Sequence, residues 1–284
     1  MGLRKMKLIN ELRFGTAGIP NSTPRPSTVN GIQRVKELGL NAMEVEFVRG
    51  IRLSEEKALE VRKVAKELDV VLTAHAPYYI NLLSPDETKV KASIERIYQT
   101  ARIAWIFDGW SITFHSGYYG KLKPGEAIKI VKVHIGNIVK RLKDEGIEIW
   151  VRPETTGGLA EFGSLEELLE VTYELEMVLP CVDFAHIYAR SRGSVNTYEA
   201  FRNIMCKLEK TFGKLIINNM HIHMSGMSYG KRGEIKHLNL RESAFNYKDV
   251  LKVLKEFNVK GVVISESPNL EEDAILMLNY YKNL

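Results

Sequence analysis

An aspartate and a histidine, Asp183 and His186, stand three residues apart just beyond the short apolar run Pro180-Cys-Val. A carboxylate at the mouth of a strand, followed by an imidazole in the next loop, suits a metal site where oxygen and nitrogen ligands converge. The pattern repeats along the chain: apolar runs also end in His75, His115, Glu154, His223 and Glu266. Of the seven histidines, His134 alone falls inside a predicted helix. His75, His115, His186, His221, His223 and His237 fall at predicted strand ends or in the loops after them. Uncompensated, so many imidazoles and carboxylates in one concave site would repel or neutralise one another, and bound cations offset that. More than one cation is the economical reading. Mixed nitrogen and oxygen donors suit Zn²⁺, with Mn²⁺ or Fe²⁺ as alternatives. Two such ions roughly 3.5–4 Å apart, bridged by a carboxylate, generate hydroxide and clamp an in-line phosphoryl displacement. No Gly-rich phosphate loop, catalytic Cys–His pair or dinucleotide fingerprint competes, and Gly157-Gly158 after Glu154 reads as a turn.

The elements that must gather these residues alternate. Strands are predicted at 12–18, 41–48, 70–76, 111–115, 147–154, 180–183, 215–223 and 260–266. Helices are predicted at 27–38, 54–68, 85–107, 124–144, 164–178, 197–212, 244–257 and 270–281, several opened by Ser or Pro and closed by Gly. Alternating strands and helices favour a parallel sheet, and eight repeats favour a single closed (β/α)₈ barrel over the whole chain. Side chains two apart on a strand share a face. That groups Val71, Thr73 and His75, Thr113 with His115, and Trp150 and Arg152 with Glu154. It also groups Val262 and Ile264 with Glu266. In each group the last polar residue precedes a loop, so one barrel mouth receives them all. Arg152 would then point inward below Glu154, and pairing with Glu44 or Glu46 is expected.

Composition sets the outer bounds. With 45% hydrophobic and 26% charged residues among 284, the chain reads as a soluble globular protein. No run is apolar enough to span a bilayer, and residues 1–7 lack the apolar core of a secretion signal, so no membrane partner and a cytoplasmic location are expected. Two cysteines, Cys181 and Cys206, in different predicted elements give no disulfide framework. Forty basic against 35 acidic residues give a net charge of +5, which permits a polyanionic partner without requiring one.

The motifs at the strand ends carry a family resemblance. Ala74-His75-Ala-Pro-Tyr78-Tyr-Ile-Asn81, Phe114-His115-Ser-Gly, Pro153-Glu154-Thr-Thr-Gly157, Asp183-Phe-Ala-His186, the His223 segment and Ser265-Glu266-Ser-Pro268 occur in the order seen in endonuclease IV. The chain resembles that family from about the third strand onward, most specifically in the His-Ala-Pro-Tyr and Asp-x-x-His blocks. The resemblance implies a zinc-dependent apurinic/apyrimidinic endonuclease of DNA repair, with damaged double-stranded DNA as partner and a monomeric state. It further implies two or three Zn²⁺ ions, Mn²⁺ being possible, and cleavage of the phosphodiester 5′ to an abasic sugar by metal-activated hydroxide. Carried over residue by residue, His75 and His115 would bind a first metal, with Glu154 bridging to a second. Asp183, Glu266 and either His221 or His223 would complete the second, His223 standing nearer the mouth. His186 and His237 would hold a third. Glu154 and Glu266 are the candidate catalytic carboxylates. Tyr78 matches a residue that probes DNA, packing on the rim being its alternative role, and Arg49, Arg190 and Arg232 are candidate phosphate contacts. Three positions depart from the family. Ile235 stands where an Asp would precede the His237 position, and Glu234 is the nearest replacement. The second strand leads into Val48-Arg49-Gly-Ile-Arg52 rather than a basic, aromatic loop, and the first strand fits the family poorly.

A sugar isomerase or epimerase on the same barrel is the alternative. Such enzymes resemble the chain in Glu154, Asp183, His223 and Glu266 around one divalent ion, with the glutamates moving a proton. That alternative gives His75, His115, His186 and His237 no common purpose. A non-catalytic protein that binds metal and DNA is a third possibility, and metal stoichiometry separates the first two.

Overall fold

Among residues 8–284, which the computed structural model describes, eight parallel strands form one sheet. They are β1 (Leu12–Ala17), β2 (Ala42–Glu46), β3 (Val71–His75), β4 (Ser111–Phe114), β5 (Trp150–Pro153), β6 (Cys181–Asp183), β7 (Met220–Met224) and β10 (Gly261–Ser265). The order β5-β4-β3-β2-β1-β10-β7-β6 curls until its two ends meet. The predicted TIM barrel is therefore present. Its seam is a pair of isolated parallel bridges, Val151↔Val178 and Glu154↔Cys181, with Thr155 N donating to Cys181 O at 3.1 Å. The seam is short because β6 is three residues long. Asp183 ends that strand by capping the helix that follows, accepting from His186 N at 2.7 Å.

The surrounding helices are α1 (Thr28–Glu37), α2 (Glu55–Glu67), α3 (Glu87–Ile106), α4 (Pro124–Asp144), α5 (Leu165–Thr172), α6 (Phe184–Arg190), α7 (Tyr198–Phe212), α8 (Lys214–Ile217), α9 (Tyr247–Glu256) and α10 (Glu271–Lys282). The capping signals work as read. Ser27, Ser54 and Ser164 each accept a backbone N–H from the first turn, and Pro124 opens α4. Buried Ile, Val and Leu from these helices cover the outside of the barrel. No helix among the described residues is long and apolar enough to cross a membrane. Residues 1–7, read for a secretion signal, lie outside the described residues.

The structure corrects three boundaries. The predicted strand over 215–223 begins as the short helix α8, because Gly213 turns the chain with φ 63° and β7 starts only at Met220. The helix predicted over 164–178 stops at Thr172, after which Glu174 and Met177 take left-handed φ values of 69° and 58°. The stretch between the predicted strand 215–223 and helix 244–257, for which no element is expected, holds a hairpin of β8 (Gly226–Gly230) and β9 (Gly233–Leu238) standing over the mouth.

Barrel closure presses β1 against β2 so tightly that a side chain has no room at Gly15. A Cβ there would lie 1.9 Å from Ala42 O. Gly15→Ala is therefore expected to lower the unfolding free energy by about 4 kcal/mol or more, as for other severe backbone overlaps. Chemical denaturation would measure this, and a variant within about 0.5 kcal/mol of wild type would contradict the tight pairing.

Candidate metal centre

Glu154, just past β5 and fully buried, is the hub of the mouth. Its Oε2 accepts from Thr113 Oγ1 at 3.3 Å and lies 3.4 Å from His75 Nε2. Its Oε1 lies 3.5 Å from His115 Nε2, 3.2 Å from His186 Nδ1 and 3.2 Å from His223 Nδ1. Burial opposes its charge, yet His223 and His115 hold its carboxyl well below the ordinary range. Glu266 stands beside it, with Oε1 3.3 Å from His223 Nδ1. Burial works against that charge too, but His223 holds the carboxyl at about 2. Asp183 spends Oδ1 on its helix cap and leaves Oδ2 3.3 Å from His186 Nδ1; burial lifts its pKa to about 6.

The contacts between these carboxylates and the ring nitrogens are close without being hydrogen bonds. Glu154 Oε1, Asp183 Oδ2, Glu266 Oε2 and His223 Nδ1 are buried and have no aligned partner. Buried polar atoms left unpaired are rare, and several facing one space are free to hold a shared ligand. The donor set fits a divalent cation. His75, His115 and Glu154 converge on one flank. Glu154, Asp183, His186 and Glu266 converge at the centre, and Glu44, His223 and Glu266 converge just below it. His186, His237 and Glu266 converge on the other flank.

Three of the histidines are held alike. His75 Nδ1 lies 2.7 Å from Ala76 O, His186 Nδ1 2.9 Å from Thr155 O and His237 Nδ1 3.2 Å from Glu266 O. A carbonyl can only accept, so each Nδ1 carries the proton and each Nε2 keeps its lone pair for the site. Without a cation the neighbouring carboxylates favour the protonated, positively charged form of these rings. Despite burial, contact with Glu154 raises His75 to about 10, and contact with Glu234 raises His237 to about 9.

The hairpin resolves the departure at position 235. Pairing jumps from Ser228↔Lys236 to Tyr229↔Glu234, so Ile235 is an extra, unpaired residue on β9 and points outward, 66% exposed. That bulge lets Glu234 and His237, three apart, face the mouth together, where a regular strand would send them to opposite faces. Glu234 Oε2 lies 3.3 Å from His186 Nε2, and its Oε1 3.3 Å from His237 Nε2. Gly157, read from the sequence as part of a turn, also leaves room for this carboxylate: a Cβ there would sit 2.5 Å from Glu234 Oε2.

The histidine pair on β7 separates by depth. His223 faces Glu154 and Glu266. His221 lies a layer lower, with Nδ1 2.8 Å from Ser111 Oγ and Nε2 3.0 Å from Glu44 Oε2. Burial lowers its pKa to about 4, so it is a neutral ring. Glu44 and Glu46, which carried no site role in the sequence reading, both belong here. Glu44 touches both rings of β7. Glu46 pairs in register with His75 and has a buried oxygen without a partner; burial pushes its carboxyl up to about 8. The signal available in the sequence was their alternation on one face of Ala42–Glu46.

Arg152 makes no ion pair with either glutamate, which corrects the expectation for it. Its guanidinium donates to Asn219 O at 2.8 Å and Pro180 O at 3.3 Å, and its carbon lies 4.8 Å from the Trp110 ring centre and 5.3 Å from that of Trp150. Carbonyls and indole faces solvate the cation in place of a carboxylate. Arg190, a candidate phosphate contact, is part-buried and donates to Gly158 O at 2.6 Å, Glu161 O at 3.1 Å and Tyr119 OH at 3.1 Å. Its guanidinium braces loops rather than facing solvent. Arg49 and Arg232 are exposed, Arg49 in the loop after β2 and Arg232 at the hairpin tip. Tyr78 stands on the rim, 60% exposed, with its ring 5.6 Å from that of His75.

The chain belongs to the xylose isomerase-like TIM barrel family, whose sequence profile matches residues 32–284. An uncharacterized protein of Methanocaldococcus jannaschii is 44% identical over 273 residues, covering 96% of this chain and 98% of its own. A probable endonuclease 4 of Aster yellows witches'-broom phytoplasma is 25% identical over 245 residues, covering 81% and 82%. Among solved structures, endonuclease IV from Thermus thermophilus superposes with a TM-score of 0.71 at 19% identity, covering 95% of this chain and 98% of that one. A D-tagatose 3-epimerase-like protein superposes with 0.69 at 21% identity, covering 94% and 96%. At those identities the two superpositions speak for the fold alone.

If the bulged hairpin delivers a metal ligand, Glu234→Ala should lose about one ion per chain, since each bound ion depends on its ligand count. Elemental analysis after removal of loosely held ions reads this. An unchanged metal content would mean that Glu234 only pairs with its two histidines.

Proposed function

We propose that the chain is a divalent-metal-dependent endonuclease that cleaves the DNA phosphodiester 5′ to an abasic site. The observation that carries this reading is the gathering of three donor sets around Glu154. The central set of Glu154, Asp183, His223 and Glu266 would serve a one-metal sugar enzyme equally well. A single-metal reading gives His75 and His115 on one flank, and His186, Glu234 and His237 on the other, no common purpose. Bound divalent ions would supply Lewis acidity and an activated water for phosphoryl displacement, and Zn²⁺ suits these donors. Glu154 turns its two oxygens toward different histidines, which suits a carboxylate shared between neighbouring cations. Tyr78 offers an exposed aromatic face beside the site, suited to stacking where a base is missing. Arg49, Lys231 and Arg232 are exposed and placed to meet phosphates, whereas Arg190 is engaged within the protein. The relatives called probable endonuclease 4 support the same direction.

A sugar isomerase or epimerase is the second reading, and Glu46 favours it. A carboxyl whose pKa stands at about 8 beside the mouth is matched to proton transfer near neutral pH.

Incubation with a duplex carrying one abasic site tests the two readings. Wild type loaded with Zn²⁺ should nick the strand 5′ to the lesion, and Glu154→Gln should lose that activity by about 10²–10³-fold while folding normally, a loss of the size seen on removing a key electrostatic group. Binding of the duplex should weaken steeply with salt. Near-wild-type cleavage by Glu154→Gln, or no cleavage alongside turnover of a ketose, contradicts the nuclease reading.

A further inference from the structure

At the end of β2 stands a carboxyl that none of the donor sets uses. Glu46 is half-buried, shares the inward face of its strand with Glu44 and pairs in register with His75. Its Oε1 is buried and has no hydrogen-bond partner. Among the described residues it belongs to no group whose donor atoms converge closely enough for a cation. A buried oxygen left open beside a binding site is available to a substrate, because no existing bond has to break first.

The surroundings say what kind of group it would meet. A groove of about 380 Å³ runs along the end of β2, lined by Glu46 together with the exposed Arg49 and Arg52. The ring of Tyr78 lies 5.6 Å from that of His75, the cross-strand neighbour of Glu46. Two cations and an aromatic face suit a sugar–phosphate strand. A carboxylate does not suit the phosphates, since like charges repel, so it is left for an uncharged polar group on the sugar. An intact DNA nucleotide offers none. Its O3′ and O5′ are esterified, C2′ carries no oxygen and C1′ holds the base. Loss of the base puts a hydroxyl on C1′.

We propose that Glu46 is a specificity-determining residue that holds the C1′ hydroxyl of an abasic sugar. The proposal rests on the nuclease reading and names the atom by which the lesion is told from an intact nucleotide. Neighbouring strands stand ~4.8 Å apart, which puts Glu46 one strand from the His75 flank and within reach of the sugar next to a phosphate held there. The contact does not depend on ionisation. A hydroxyl both donates and accepts, so a carboxyl pairs with it in either protonation state.

The test gives Zn²⁺-loaded full-length protein two duplexes, one with a natural abasic site and one with a tetrahydrofuran in its place, which lacks only the C1′ hydroxyl. Wild type should favour the natural site by about 10–100-fold in kcat/KM, the effect of leaving one buried polar group unpaired. Glu46→Ala should bring the two duplexes level, whereas Glu46→Gln keeps a donor and an acceptor and should retain the preference. Should Glu46→Ala fail to fold, Glu46→Met fills the space without a polar group and takes its place. Elemental analysis should find the same metal content in every variant, because Glu46 is in no donor set. Equal cleavage of both duplexes by wild type, a preference that survives loss of the carboxyl, or loss of an ion with it overturns the role of Glu46 and leaves the nuclease reading standing. A wild type that cleaves neither duplex overturns that reading and this role with it.

Discussion

The mouth of this barrel depends on one electrostatic constraint: a fully buried glutamate, Glu154, must be compensated by whatever surrounds it. A lone carboxylate moved from water into such a place would take up a proton instead of staying charged. Glu154 stays charged because four imidazoles approach it within 3.5 Å, each from a different strand end or the helix after β6. Those imidazoles in turn have further carboxylates behind or beside them. Removal of any one charge leaves its partner stranded, so the cluster is held together by mutual dependence rather than by any one strong pair. Divalent cations among these groups would satisfy the atoms that no hydrogen bond reaches.

The barrel makes that concentration of charge tolerable by fixing direction. Three histidines are aimed by carbonyls and Asp183 by its helix cap. None of these relies on a long, freely rotating side chain. The hairpin over the mouth adds a sixth carboxylate, Glu234, through one bulged residue. Beneath, Arg152 sits among carbonyls and indole rings, a positive charge in the floor that offsets the acidic layer above it.

Much of this was legible in the sequence, for a physical reason. Strand side chains alternate, so a polar residue ending an apolar run has to lie at the mouth; His75, His115, Glu154 and Glu266 follow from that rule. Asp183 and His186 were legible as a pair, but not the helix that places them. The choice between His221 and His223 was legible only through the nearness of His223 to the strand end, because the period of two puts both rings on one face. Two things were not legible. Glu44 sits inside an apolar strand, where it reads as a structural partner for Arg152 until distances separate them. The bulge at Ile235 arises from the pairing of two strands, and residue spacing taken along one strand points Glu234 the wrong way.

The account stands on Glu154 as a carboxylate shared between cations. Diffraction from a metal-loaded crystal at the absorption edge of the bound element tests this most directly. At least two anomalous peaks roughly 3.5–4 Å apart, the spacing of paired catalytic ions, each within bonding distance of a Glu154 oxygen, are predicted. A single peak among Glu154, Asp183, His223 and Glu266, with His75, His115, His186 and His237 unligated, would contradict the account.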